Sequence, residues 1–290
     1  MCGQNPPNGA LLFYSFPKSP EGEVTIQVSA PDGSVIQTYS SERDPYPNPE
    51  FVNFNPSRGD KRVPKKTGLN RFVWDYRYPV VNTVEGAIVW GFTGGPRVAP
   101  GTYAVKITAG EWSQIHPLTI LKDPRSQTTQ AEFDEQIALL LQMRNSLNEI
   151  YDGVRTVREV RRQAKNLIQN LRAACRDVNK LQEAADPLFA KLTRIEEELM
   201  QPKNTADQDT ENFPTQLDNQ LAYIYMKLDG ADFRPTDGQV ERFRDLEREK
   251  KSLLKELQDI LDTDLAAFNA LVQELGTPPI ILPAPTDQKK

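Results

Sequence analysis

Few residues in this chain have the type and spacing to do chemistry. Its one histidine, His116, stands directly before Pro117. Acid–base work there would need a carboxylate to orient the ring, and the position reads as structural. Asp75 follows Trp74; a carboxyl held protonated in an apolar pocket, facing a second carboxyl, is what glycoside hydrolysis demands. Asp75 reads instead as an Asx-type turn partner for backbone donors. Glu196, Glu197 and Glu198 read as exposed helical positions. No HExxH, paired CxxC, GxSxG, Walker or dinucleotide pattern occurs. The expectation is therefore no catalytic, cofactor-binding or metal residue, with Trp90, Phe92 and Trp112 as the candidate contacts for a ligand or partner.

The elements that would position these residues change character near Pro124. Before it, Ala10–Phe16, Glu23–Ser29, Val35–Ser40, Arg71–Asp75, Thr102–Thr108 and Trp112–Leu121 read as strands. Val24, Ile26 and Val28 alternate with Thr25 and Gln27, the period of a half-buried strand. Pro31-Asp32-Gly33-Ser34 supplies hairpin chemistry, and an Ala109/Gly110 turn is expected to close a second hairpin. Residues 41–70 hold Pro45, Pro47, Pro49, Pro56 and Pro64 beside the basic run Lys61-Arg62-Val63-Pro64-Lys65-Lys66. Proline at that density removes ladder donors, so a long surface loop is expected. Arg58-Gly59-Asp60 spells an integrin-type tripeptide, too short to outweigh chance. A second loop, Tyr78–Ala99, carries Trp90 and Phe92. The expected fold of residues 9–124 is an immunoglobulin-like β-sandwich.

After Pro124 the apolar spacing is helical. Thr129-Gln130-Ala131-Glu132 is a capping box. It opens a stripe through Phe133, Ile137, Leu140, Leu147, Ile150, Val154, Val157, Ala164, Ile168 and Leu171. Asp186-Pro187 reads as an N-cap followed by Pro at the first helical position, with a second helix to Met200. A shorter helix is expected over Pro214–Leu228. The capping box Thr236-Asp237-Gly238-Gln239 opens a last one ending before Gly276. Long amphipathic helices with modest connections close as an antiparallel bundle, here over 125–276. Residues 1–8 and 277–290 are expected to be disordered. The fold class is thus α+β, with separate all-β and all-α domains.

Composition narrows the function classes. Residues 1–125 hold 13 Lys/Arg against 11 Asp/Glu, and residues 126–290 hold 22 against 29. The balances are +2 and -7, and the acidic helical half argues against the basic face that nucleic acid requires. No membrane span is expected, since no long uncharged apolar run occurs. Cys2 and Cys175 fall in different domains and are expected as a terminal thiol and a small residue packed in a helix, unbridged. The first residues lack a basic start and an apolar segment, which by itself predicts a cytoplasmic chain.

Scattered short motifs carry a resemblance. Gly68-Leu69-Asn70-Arg71-Phe72-Val73-Trp74-Asp75-Tyr76-Arg77-Tyr78-Pro79, followed by Pro100-Gly101-Thr102-Tyr103, resembles the final region of large bacterial β-propeller proteins of the sortilin-type or sialidase-like glycosyl hydrolase kind. The Trp-Asp and Pro-Gly-Thr-Tyr pairing is also similar to an immunoglobulin-like domain of flagellar hook-capping proteins. Gly22-Glu23-Val24-Thr25, Pro117-Leu118-Thr119-Ile120, Asn212-Phe213-Pro214, Arg234-Pro235-Thr236 and Asp264-Leu265-Ala266-Ala267-Phe268-Asn269 extend it over nearly all of 9–279. The propeller itself has no counterpart here, so no catalytic residue carries over. The resemblance implies a non-catalytic accessory or interaction module beside a β-propeller, with that propeller or another protein as partner. The alternative it implies is a part of a sialidase-like glycoside hydrolase that contributes carbohydrate contacts. It also implies an exported, periplasmic or extracellular parent.

Overall fold

Turn chemistry sets the register of the first hairpin. The computed structural model describes residue 5 and residues 7–43 and 61–283. Strands β1 (Ala10–Phe16), β2 (Val24–Ser29), β3 (Val35–Ser40), β4 (Gly68–Trp74), β5 (Gly101–Ala109) and β6 (Trp112–Ile120) come first. Between β2 and β3, Gly33 has φ +85°, and the Asp32 carboxylate accepts both the N–H and the hydroxyl of Ser34 at 2.9 and 2.7 Å. Between β5 and β6 the two-residue turn is Gly110-Glu111, not Ala109/Gly110, because Ala109 still pairs with Trp112. Gly110 takes the positive φ (58°) that such a turn needs.

The six strands make two antiparallel sheets, one in the order β1–β4 and one in the order β3–β2–β5–β6. Their apolar sides share one core. Val24, Ile26 and Val28 of β2 are fully buried with Phe72 and Trp74 of β4 and Tyr103, Val105 and Ile107 of β5. Tyr39 of β3 lies 4.8 Å from Phe72, and the Trp74 ring meets Tyr103 edge-on at 5.6 Å. Trp74 is the largest fully buried side chain among the described residues.

Five α-helices follow among the described residues: α1 (Gln130–Ala173), α2 (Asn179–Leu199), α3 (Leu217–Asp229), α4 (Asp237–Ile260) and α5 (Ala266–Glu274). The fold is therefore mixed α+β. Thr129 caps α1 reciprocally with Glu132, and Thr236 caps α4 with Gln239. Gly153 does not stop α1, because its missing side chain leaves room for Leu254 of α4 and Leu199 of α2. No helix is long and apolar enough to cross a membrane, among the described residues.

Three further expectations need correction. The second helix starts at Asn179 and carries Pro187 inside it rather than at its first turn. The earlier start buries Leu181 and Ala185 on the stripe that continues through Leu188, Leu192, Ile195 and Leu199. That gain outweighs one lost main-chain bond. The last helix is interrupted by a π turn, Leu261–Leu265, whose Leu261 and Leu265 are both buried. Cys175 is exposed rather than packed in a helix. It sits just past α1 with φ 55°; its N–H bonds Arg172 O and the next N–H, of Arg176, bonds Leu171 O. That is the Schellman geometry usually given to glycine.

The proline-rich stretch 44–60, with Arg58-Gly59-Asp60, and Cys2 lie outside the described residues. Of the C-terminal tail, Thr277–Pro283 is described and has no regular structure. Within it, the Asn269 side chain bonds both main-chain groups of the buried Ile280. The chain forms two compact units. One comprises Met1–Val81, Thr93–Arg144 and Lys227–Pro235, the other Asn82–Phe92, Asn145–Met226 and Thr236–Lys290.

Candidate functional site

The first unit contains a cavity of about 580 Å³, a size typical of small-ligand sites. Its apolar wall comes from Leu118 and Ile120 of β6, Val98, and Phe133, Ile137 and Leu140 of α1. Arg97, Lys122, Asp123, Asp229 and Asp232 stand around it. Tyr76, also on the wall, holds φ 60° while its carbonyl accepts the Val98 N–H at 2.7 Å. A non-glycine residue in that conformation stores strain of the kind found at ligand sites.

The charged groups are already engaged. Asp229 Oδ2 accepts Arg77 Nη1 at 3.0 Å, and its Oδ1 accepts the Arg97 N–H at 3.0 Å. The Asp229 carbonyl takes Arg97 Nη2 at 2.8 Å, and Asp232 stands 3.6 Å from the same guanidinium. Asp123 is bound by Arg125 at 2.6 Å, whose hydrogen bonds pull its carboxyl down to about 2. Gln136 donates to the Leu228 and Ala231 carbonyls, each at 2.7 Å. Each acid at the cavity thus meets an arginine. A hydrolase would need one acid to deliver a proton and another to accept or attack. The arrangement is suited to holding an apolar body against a charged rim.

Asp75 is buried, yet not as a turn partner: Lys61 Nζ stands 3.6 Å from its Oδ2, and its Oδ1 has no hydrogen-bond partner. Proximity in space rather than sequence supplies Lys61. His116 pairs with Val105 in the ladder and is exposed. Glu196 is buried, in contrast to the exposed position expected, and binds Arg158 Nε at 2.5 Å and Arg161. Both arginines lie on α1, so the spacing within α2 could not reveal them.

The aromatic candidates fall in different units. Trp112 begins β6 and is half exposed (49%). Trp90 and Phe92 belong to a strap, residues 82–92 of the second unit, which is pinned at several points. The Asn82 N–H donates to Asn148 at 2.8 Å, Arg158 bonds Glu85 O at 2.5 Å, and Asn204 bonds Ile88 O at 3.1 Å. The Trp90 N–H meets Asn219 Oδ1 at 2.5 Å, and Phe92 stacks on Tyr225 at 5.5 Å. A Cβ on Gly91 would fall 2.7 Å from the backbone of Ala222. Phe92 is thus a packing residue, whereas the Trp90 side chain stays 50% exposed on a clamped backbone.

Sequence reasoning missed two clusters in the second unit. Lys250, 2% exposed, donates to Ser146 Oγ at 3.0 Å and pairs with Glu247 and Glu149, each at 2.6 Å. Burial raises the Glu247 pKa, but hydrogen bonds from Lys250 and Ser146 outweigh it and leave a net lowering. A serine–lysine contact can serve acyl transfer. Here two carboxylates claim the ammonium and the hydroxyl is buried, so the cluster ties helices together. In the other, Tyr151 donates to Asp218 Oδ2 at 3.2 Å and the Asn219 N–H to its Oδ1 at 2.6 Å. Burial pushes the Asp218 carboxyl up to about 7. The signal for both is an isolated polar residue on an apolar helical face.

Among the described residues no group of three His, Cys, Asp or Glu is placed to hold a metal. Compared with family models, curated proteins and solved structures, the chain has no match.

Proposed function

We propose that this chain is a non-catalytic interaction module of the kind that accompanies bacterial sortilin-type or sialidase-like β-propeller proteins. In this reading its six strands form an immunoglobulin-like sandwich and its helices an antiparallel bundle. One observation carries the non-catalytic part: the carboxylates of Asp123, Asp229 and Asp232 at the cavity of the first unit each meet an arginine. The propeller partner rests on the Trp74-Asp75 and Pro100-Gly101-Thr102-Tyr103 resemblance. The test pairs the purified chain with an isolated propeller from such a protein in a calorimeter, and separately with aryl glycosides. Binding without turnover is expected. Turnover abolished by one carboxylate substitution overturns the reading.

A second reading, carbohydrate contact within a sialidase-like hydrolase, draws support from Trp90. Its side chain is half exposed on a backbone held by Asn219, and rigid exposed rings suit stacking on a sugar face. Quenching of tryptophan fluorescence by oligosaccharides, lost in Trp90→Ala, is the result it requires.

A further inference from the structure

Strand β6 is open along one edge. All nine of its residues pair with β5, and among the described residues it pairs with no other strand. Open edges are ordinarily guarded by charged side chains, bulges or proline. From Trp112 to Leu121 there is no charged residue, and the only guard is Pro117. A proline nitrogen cannot donate, so Pro117 fits an unbroken ladder with its nitrogen toward the open side. Main-chain direction alternates along a strand; Ser113, Ile115, Pro117 and Thr119 therefore offer their backbone groups to that edge. Trp112 and Ile115 are 49% and 61% exposed.

We propose that β6 pairs antiparallel with β6 of a second copy, about a two-fold axis through Ile115, so that two four-stranded sheets become one. The occupant follows from the order of residues. Counted outward from Ile115, the strand is self-complementary: Gln114 faces the partner's His116, Ser113 the partner's Pro117, and Trp112 the partner's Leu118. Ile115 faces its own copy. The exposed Trp112 thus meets the half-buried Leu118 and the exposed Ile115 meets its own copy, apolar pairs of the kind that stabilise neighbouring strands. No like charges meet, since Glu111 falls opposite the partner's Thr119. Ile115 exchanges both main-chain bonds with the partner's Ile115. Ser113 donates to the partner's Pro117 carbonyl, and the donor that Pro117 lacks leaves the Ser113 carbonyl of each copy without a main-chain partner. The contact is isologous, as closed homodimers require, and it does not depend on the propeller reading.

Sedimentation of the purified chain from low to high micromolar concentration is expected to show a monomer–dimer equilibrium. Ile115→Lys should raise the dimer Kd at least about tenfold, because it places a charge against its own copy. Facing residues of a hydrogen-bonded antiparallel pair have Cα atoms about 5.5 Å apart, within disulfide range. In a background with Cys2 and Cys175 replaced by serine, Ile115→Cys should cross-link on mild oxidation. Val35→Cys, exposed on the opposite edge strand β3, should not. A chain that stays monomeric at high micromolar concentration overturns the proposal. So does a dimer that Ile115→Lys leaves intact, or equal cross-linking through Val35→Cys. If Ile115→Lys fails to fold, the cysteine pair decides.

Discussion

Cys175 holds the conformation of a glycine. An L-residue in the left-handed region costs about 1–2 kcal/mol, and this one is exposed and ends α1 through main-chain bonds alone. Cys175→Gly should therefore stabilise the chain by about 1 kcal/mol, read as a rise in urea midpoint at unchanged slope. Gly95 shows the opposite situation: a Cβ there would fall 1.6 Å from the Tyr78 carbonyl oxygen. Gly95→Ala should cost ~3 kcal/mol by displacing backbone, with a matching loss of thermal midpoint. The difference between these sites and Gly33 is instructive. Pro31-Asp32-Gly33 announces a turn because its three residues act on one another locally. Nothing beside Gly95 announces Tyr78, and nothing beside Cys175 distinguishes it from a helical interior position.

At the scale of elements, α2 joins two lessons. Its apolar stripe was legible and its start was not. Asp186-Pro187 carries a strong local start signal, and burial of Leu181 and Ala185 overrides it. Glu196 lies on the buried side of the same helix, held by Arg158 and Arg161 of α1. Glu196→Ala would leave two partly exposed guanidiniums without their carboxylate. The expected loss is about 3 kcal/mol, at the low end for a broken buried pair because water reaches the arginines. A double-mutant cycle with Arg161 checks it: coupling near zero would show that the contact contributes packing alone. The π turn at Leu261–Leu265 likewise answers to tertiary packing, and the periodic pattern on either side of it reads as one continuous helix.

For the whole molecule, the pH dependence of stability has one clear contributor in Asp218. Its carboxyl is raised to about 7 in the folded chain by burial, above the ordinary range of an unfolded aspartate. The folded state therefore binds the proton more tightly. The resulting stability is present in full below about pH 4 and is lost as pH rises toward 7. Asp218→Asn, which cannot ionise, should match the parent near pH 4 and exceed it at pH 8, by about 4 kcal/mol. Urea unfolding followed by helical circular dichroism at the two pH values reads the difference. A variant that is less stable than the parent at pH 8 would mean that the ionised form is the one the fold uses.

The sequence by itself determined the alternation of β2, the capped start of α1, the amphipathic stripes and the change from strands to helices at Pro124. Those features depend on neighbours within a few positions, where sterics and side-chain spacing act directly. Only the tertiary structure decided which ionic groups are committed. Asp229 with Arg77 and Arg97, Lys250 with Glu149, and Asp75 with Lys61 are pairs made by chain segments far apart in sequence. Charge and hydrogen bonding at short range depend on distance in space, and one-dimensional order does not contain that distance.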